Sequence, residues 1–182
     1  MQAVIAMLRG VNVGSHNRIS MQALRSLCGS LGLRNAQTYV QSGNVVFTSE
    51  EVNLRALAKR IENALEEEFG IRAAVILRTA AEMQAVIAKN PFANRKEIEP
   101  NKLLVTFLAE ELGPEALTQL EAKRMGPEEV KAQGRELYVY FPNGMGRSKL
   151  PAVMDRVLNK TGTARNWTSV TKLLEMAEQV QH

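Results

Sequence analysis

The chain has 182 residues, of which 45% are hydrophobic and 23% charged, and it carries a net charge of +4 at pH 7. These values exclude a disordered chain and predict a globular protein of one or two domains that folds without a disulfide or metal. The single cysteine, Cys28, excludes an intramolecular disulfide, and its apolar surroundings in the sequence predict a core position.

The sequence does not predict a signal peptide or a membrane span. The apolar N-terminus is short and lacks the basic start of a signal peptide, and no apolar run approaches the roughly 20 residues that a membrane span needs. We therefore expect a cytoplasmic protein that does not associate with a membrane.

The charges are unevenly distributed along the chain. Glu50 is the first acidic residue, so the arginines before it have no acidic neighbour in sequence. A second basic stretch, residues 147–172, holds six basic residues and one acidic residue, Asp155. The pattern has two interpretations: ordinary solvation of helix surfaces, or two basic stretches that flank one anionic ligand. The arginines of the first stretch are Arg9, Arg18, Arg25 and Arg34.

The first half of the chain shows, in order, a strand, a helix, two strands, a helix and a strand. The first strand is apolar at every position, and not only at alternate ones, which predicts burial on both faces. Ser20 is of the type that begins a helix, Gly32 and Gly70 of the type that ends one, and Ser42-Gly43 predicts a hairpin turn. This order is the βαββαβ, or ferredoxin-like, arrangement. The predicted bounds are 3–8, 20–32, 36–41, 44–49, 50–70 and 72–78.

An extra helix and a linker follow this unit. Thr79 and Glu82 have the spacing of a capping box, and the helix that they predict stops near Asn90-Pro91. Residues 92–101 are polar and contain Pro100, which predicts a linker. The domain prediction is therefore an N-terminal subdomain with its helix at 1–91, the linker, and a C-terminal subdomain at 102–182.

The second half repeats the order of elements. Pro114 suits the first position of a helix, Gly134-Arg135 predicts a hairpin, and Ser148 is a candidate cap for the next helix. A last helix carries Val170 and the apolar residues after it. The sequence thus predicts an α+β fold of two consecutive ferredoxin-like, or RRM-like, βαββαβ subdomains, each followed by an extra helix. The predicted bounds in this half are 102–108, 113–120, 128–133, 136–141, 148–158 and 162–167.

Reactive side chains are few. The chain has two histidines, one cysteine and one aspartate, which is too few for a regularly spaced zinc site. No nucleophile elbow, phosphate-binding loop or dinucleotide fingerprint is present. The segment GMGRSK at 144–149 is similar to a phosphate loop but has the wrong spacing. We therefore expect no metal and no cofactor, and His16 is the candidate general acid or base if the protein is an enzyme.

Binding chemistry is better represented, above all between the first strand and the first helix. Gly10 and Gly14 allow backbone N–H groups to turn toward one point, as in anion nests. The N-terminus of the following helix adds partial positive charge, and Arg9 and Arg18 add permanent charge. The alternative interpretation is that these glycines and asparagines form an ordinary turn. The candidate binding residues of this loop are Arg9, Asn12, Gly14, His16, Asn17 and Arg18.

Three further segments have similar chemistry. Amide side chains surround the tight turn of the hairpin at 41–44, a glycine-rich basic loop precedes the helix at 150, and Arg165 lies just before the last helix. Each also has a structural interpretation, since Trp167 suits a core and Arg165 suits an ion pair or a capped carbonyl. The candidate residues are Gln41, Ser42, Asn44, Arg147, Lys149, Arg165, Asn166 and Trp167.

Three segments, LRGVNVGSHNRI, TYVQSGNVVF and ARNWTSVTKLLEM, resemble a bacterial family known only as domain of unknown function 1697. The resemblance extends from Met1 to about Met176 and implies a two-subdomain α+β fold, without an established reaction. Family members typically read NVGG where this chain reads NVGS, so Ser15 restricts the backbone that a strict anion nest needs. The positions that match the family motifs are Arg9, Asn12, Gly14, Gln41, Ser42, Gly43, Asn44, Arg165, Asn166 and Trp167.

Four functions are compatible with these residues. The first is binding of a small anionic ligand, such as a nucleotide, in a basic cleft between the two subdomains. The second is binding of RNA or single-stranded DNA through an RRM-like sheet, with Tyr39, Tyr138 and Tyr140 as stacking residues, although the RNP1 pattern is absent. The third is a metal-free enzyme that uses His16, and the fourth is a scaffold or dimerisation module.

Overall fold

The computed structural model describes residues 1–123 and 126–182. It confirms the α+β class and the βαββαβ order in both halves of the chain. The elements of the first half are β1 (Gln2–Leu8), α1 (Met21–Ser30), β2 (Arg34–Tyr39), β3 (Asn44–Ser49), α2 (Leu54–Phe69), β4 (Val75–Thr79) and α3 (Ala80–Ala88). A 3-10 turn (Pro100–Lys102) is followed by β5 (Leu103–Phe107), α4 (Pro114–Lys123), β6 (Glu129–Gln133), β7 (Glu136–Tyr140), α5 (Leu150–Val157), β8 (Thr163–Asn166) and α6 (Trp167–Gln181).

Each half forms one four-stranded antiparallel sheet. The strand order is β2-β3-β1-β4 in the first sheet and β6-β7-β5-β8 in the second. In both sheets the first strand of the half is central, and the two strands of the hairpin lie on one side of it. This is the strand order of the ferredoxin-like fold, so the two halves share their topology as well as their element order.

The chain divides into two compact units at positions that differ from the predicted boundaries. The first unit comprises residues 1–84 and 172–182, and the second comprises residues 85–171. The boundaries between the units therefore fall inside α3 and α6. The sequence instead predicted one boundary, at the linker 92–101, with all later residues in the C-terminal subdomain. Among the described residues, no helix is long and apolar enough to span a membrane.

The core of the first unit forms around β1. Val4, Ala6 and Leu8 are buried in one cluster with residues of α1 and α2. Ile5 and Met7 point to the opposite face of the sheet and are also fully buried. The prediction that this strand is buried on both faces is confirmed.

The cysteine is also a core residue, as predicted. Cys28 lies in α1, is 2% exposed and packs in the same cluster as Leu24 and Leu27. Desolvation by burial raises the pKa of its thiol to about 11. The thiol is therefore protonated at neutral pH and is not a nucleophile.

Helix starts in the first unit follow the side chains that cap them. The Ser20 hydroxyl accepts from the backbone N–H of Ala23 at 3.0 Å, which confirms the predicted cap. Asn53 caps α2 in the same way, so this helix begins at Leu54 rather than near residue 50 as predicted. The predicted capping box before α3 also forms: Thr79 N–H donates to a carboxylate oxygen of Glu82 at 2.8 Å, and Glu82 N–H donates to the Thr79 hydroxyl at 3.1 Å.

Two residues of the segment predicted as a linker, Phe92 and Arg95, pack against the second sheet. Phe92 is 2% exposed, and its ring centroid lies 6.2 Å from that of Tyr140 in β7. Arg95 donates to a carboxylate oxygen of Glu129 in β6 at 2.6 Å, and its guanidinium carbon lies 5.3 Å from the centre of the Tyr140 ring. The linker prediction assumed that polar residues remain in solvent. Arg95 instead pairs with Glu129 and packs on the Tyr140 ring.

Tyr138, which was a candidate residue for stacking on nucleic-acid bases, is buried by this packing. Its side chain is fully buried, and its hydroxyl donates to the backbone carbonyl of Val86 at 2.5 Å. Tyr138 and Tyr140 do share one face of β7, as predicted. On that face Tyr138 is buried, and the half-buried ring of Tyr140 is partly covered by Phe92 and Arg95.

Replacing Phe92 with alanine tests whether this segment belongs to the second unit. We expect a loss of about 3–5 kcal/mol in the free energy of unfolding, because a fully buried ring is removed. Urea unfolding followed by circular dichroism measures the loss. Val52→Ala is the control, since Val52 is 84% exposed and its truncation should change stability by less than about 0.5 kcal/mol. Equal effects of the two substitutions would contradict the packing of Phe92.

Candidate functional site

Two loops of the first unit lie side by side at one end of its sheet. Residues 9–19 connect β1 to α1, and residues 40–43 connect β2 to β3. The backbone N–H of Leu8 donates to the carbonyl of Gly43 at 2.9 Å, which joins the end of β1 to the hairpin turn. We call the surface formed by these two loops the two-loop surface. It contains eight of the nine predicted site residues of the first unit, and the ninth, Asn44, is the buried first residue of β3.

Asn12 holds the two loops together. Its side-chain oxygen accepts from Ile19 N–H at 2.9 Å, and its side-chain nitrogen donates to the carbonyls of Ile19 at 3.0 Å and Gln41 at 2.8 Å. Its backbone N–H donates to Asn17 at 3.0 Å. Asn12 has a φ of 56°, a left-handed conformation that asparagine tolerates better than most residues. The predicted ligand-binding amide is thus bound to the protein's own backbone.

Asn17 of this surface and Asn44 beside it have the same role. The side-chain nitrogen of Asn17 donates to the carbonyl of Gly10 at 3.1 Å. Asn44 is fully buried, and its side-chain nitrogen donates to the carbonyl of Tyr39 at 3.1 Å and to the Ser42 hydroxyl at 3.0 Å. These bonds satisfy main-chain groups that leave the sheet, so the loops keep their shape without a ligand.

The charged residues of the two-loop surface face outward. Arg18 and His16 are exposed, and Arg9 is half-buried. Arg9 also anchors the start of the loop, because its backbone N–H donates to the carbonyl of Ala74 at 2.9 Å. Gln41 and Ser42 are exposed on the hairpin turn. The amides therefore fix the backbone, Arg18 and His16 are exposed to solvent, and Arg9 is half-buried.

Two apolar residues on this surface were not predicted as site residues. Val13 is 64% exposed at the tip of the first loop, and Val40 is 52% exposed in the hairpin turn. Val40 has a φ of 49°, which is strained for a β-branched side chain. The predicted strand 36–41 included Val40 because valine favours strands, yet β2 ends at Tyr39. Ser42-Gly43 signals the hairpin turn, but no local pattern signals that the turn already begins at Val40.

The predicted site residues of the second unit lie in two places. Arg147 and Lys149 are exposed on the loop before α5. Between them, the Ser148 hydroxyl accepts from Leu150 N–H at 3.1 Å and donates to a carboxylate oxygen of Glu128, which is 8% exposed. The predicted cap at Ser148 is wrong, because the N-cap position of α5 is Lys149, whose side chain makes no capping hydrogen bond. Ser148 instead fastens the loop to Glu128, just before β6.

Arg165, Asn166 and Trp167 form the junction of β8 and α6. Arg165 is 9% exposed and donates to the Thr163 hydroxyl at 2.7 Å and to the carbonyl of Ala164 at 2.8 Å. Burial lowers the pKa of its guanidinium to about 10, so it remains charged at neutral pH. Asn166 caps α6, because its side-chain oxygen accepts from the backbone N–H of Ser169 at 2.8 Å. The half-buried Trp167 begins the helix.

Arg78 occupies the equivalent position in the first unit, and sequence analysis missed it. It is 1% exposed and donates to the carbonyl of the preceding residue, Leu77, at 2.9 Å. It pairs with Ile5 of the central strand, as Arg165 pairs with Val105. In both units the arginine is followed at once by a capping residue and a helix. The repetition indicates that Arg165 belongs to the architecture of the edge strand.

The polar side chains of the two-loop surface are mainly hydrogen-bond donors. His16 is exposed at the loop tip, where water competes for any proton that its imidazole transfers. Within residues 1–123 and 126–182, no three His, Cys, Asp or Glu side chains lie close enough together to hold a metal ion. Arginines on a fixed loop can instead form bidentate hydrogen bonds with phosphate or carboxylate.

Fold and site together define an α+β protein of two ferredoxin-like units whose first unit carries a preformed, basic two-loop surface. The chain belongs to the family described as Protein of unknown function (DUF1697), whose profile matches residues 1–138. A similar fold occurs in the conserved bacterial protein SP0830 from Streptococcus pneumoniae, with a TM-score of 0.78 and 20% sequence identity over 97% of this chain and 98% of that chain. At this identity the likeness concerns the fold alone. The curated proteins contain no match to the sequence.

Replacing Asn12 with alanine removes three side-chain hydrogen bonds and leaves a residue at positive φ that prefers negative φ. We expect a loss of about 2–4 kcal/mol in unfolding free energy, together with faster hydrogen exchange at the Ile19 amide. Asn12→Gly loses the same bonds without the strain, so it should lie about 1 kcal/mol closer to the wild-type protein. Unchanged protection of Ile19 in Asn12→Ala would contradict the proposed role.

Two glycines test how tightly the loops pack. Gly43 has a φ of 80°, and a Cβ placed there would lie 3.0 Å from the Leu8 Cβ and 3.4 Å from the Val11 Cβ. Gly14 has a φ of 59° but nothing within 4 Å of an added Cβ. Alanine at Gly14 should cost about 1 kcal/mol from backbone strain alone, and alanine at Gly43 about 2–3 kcal/mol. Urea midpoints measure both, and equal losses would mean that the hairpin turn is not held against Leu8.

Proposed function

We propose that the two-loop surface binds a small anionic ligand that bears phosphate or carboxylate groups, of which a nucleotide is one example. The observation that carries the proposal is that Arg18, His16 and Arg9 sit on loops whose backbone is already fixed by Asn12 and its partners. A surface that keeps its shape without ligand loses little conformational entropy on binding.

The charge pattern supports an anion as the ligand. No acidic residue occurs among the first 49 residues, so no carboxylate from the same part of the sequence neutralises these loops. Arginine is charged at every physiological pH and presents its donors in a planar fork that matches phosphate and carboxylate. Because the surface is open to water, we expect modest affinity that falls as salt is added.

Arg18→Gln and Arg9→Gln test the proposal when wild-type and variant proteins are titrated with pyrophosphate and with ATP. Amide chemical shifts of residues 9–19 and 40–43 report binding at the surface, and a thermal-shift midpoint reports its effect on stability. We expect each substitution to weaken binding roughly tenfold. Arg34→Gln is the matched control, since it removes the same charge from an exposed position in β2.

The result decides between the candidate functions. If neither anion shifts these amides at low salt, the proposal is wrong. If the Arg34→Gln control loses as much affinity as Arg18→Gln, the effect is one of net charge and not of this surface. A double variant of Arg147 and Lys149 tests the exposed basic loop of the second unit in the same way. A labelled single-stranded oligonucleotide, bound more tightly than ATP, would favour nucleic acid as the ligand.

We propose a cytoplasmic location, because the one cysteine, Cys28, is a buried free thiol, as is usual where thiols are kept reduced. Fractionation of cells that express a tagged chain tests this placement.

A further inference from the structure

The two-loop surface exposes apolar side chains as well as the cations that would bind a phosphate or carboxylate. Val13 and Val40 are among five large apolar residues that are strongly exposed in the described chain, the others being Met1, Val52 and Met145. Both lie on this surface. Each is adjacent in sequence to one end of the hydrogen bond between Asn12 and the carbonyl of Gln41, so they flank the point where the two loops meet.

Val40 is also held in an unfavourable conformation. Its φ of 49° lies in the left-handed region, where a β-branched side chain is a genuine outlier. Glycine or asparagine would occupy this turn without strain, as Gly43 and Asn12 do at their own left-handed positions. Strained residues that are exposed on a well-fixed loop are typical of binding surfaces, because the strain serves to present the side chain.

Apolar tips between arginines are typical of a surface that binds protein. A phosphate offers no apolar group to bury, whereas a polypeptide segment offers an aliphatic side chain together with carboxylates. Interfaces between proteins place apolar contacts at the centre and charged groups at the rim, with arginine enriched. Because the charges of the two-loop surface are positive, its complement is acidic.

We infer that the partner of the two-loop surface is an acidic polypeptide segment, whose carboxylates pair with Arg18 and Arg9 and whose aliphatic side chain packs between Val13 and Val40. This inference rests on the proposed function, since it names the class of anion that the surface binds. It adds an apolar contact that a small phosphate ligand would not use.

Two labelled synthetic peptides of equal length test the inference by fluorescence anisotropy. One consists of glutamates alone, and in the other a leucine follows each pair of glutamates. We expect the leucine-containing peptide to bind the wild-type protein about tenfold more tightly, because its leucines bury apolar surface. In the double variant Val13→Ser with Val40→Gly this advantage should disappear, so that the two peptides bind equally tightly.

The controls separate the valines from general hydrophobicity. Val52→Ser removes an exposed valine elsewhere in the first unit and should leave both affinities unchanged. Val40→Gly suits the positive φ, so the double variant should fold at least as stably as the wild-type chain, which its urea midpoint verifies.

Each outcome has one meaning. The inference is overturned if the leucine peptide binds no more tightly than the glutamate peptide, or if its advantage persists in the double variant. If pyrophosphate shifts the amides of the two loops but neither peptide binds, the proposed anion site remains and the acidic polypeptide is excluded. If pyrophosphate and both peptides fail, the proposed function is wrong as well.

Discussion

The burial of β1 on both faces is the constraint from which the candidate site follows. β1 is a central strand, so β3 and β4 use its hydrogen-bonding groups and both of its faces are packed. Every residue from Ala3 to Leu8 is apolar and buried. The chain must then satisfy its backbone groups outside the sheet, and the hairpin turn between β2 and β3 is the neighbouring element that supplies partners.

In the loop that follows β1, asparagines have a structural role and arginines have the binding role that we propose. Asparagine amides carry both a donor and an acceptor, so Asn12 can replace the main-chain partners that the sheet no longer provides. Arginines carry only donors and a charge that is costly to bury, so Arg18 remains outside. A sequence that contains both types in one loop therefore folds into a rigid support with cations on its surface.

In the second unit, basic and aromatic side chains pack against each other within the protein. Arg95 and Phe92 pack across the sheet face that carries Tyr140, so a basic and aromatic combination that could bind nucleic acid is satisfied within the protein. Arg165 and Arg78 likewise donate to carbonyls of their own edge strands. Arginines are thus structural where the fold buries them, and they are available to a ligand where the fold leaves them exposed to solvent.

The sequence by itself determined the order of elements, the burial of β1 and Cys28, and the caps at Ser20 and Thr79, because periodicity and capping act over a few residues. It also placed the two loops at the ends of their strands. Only the tertiary structure decided that Asn12 reaches Gln41, that Phe92 and Arg95 pack on a sheet, and that Val40 leaves β2 in a strained turn. These depend on contacts between residues far apart in sequence, and local preference gives valine to a strand and a polar segment to a linker.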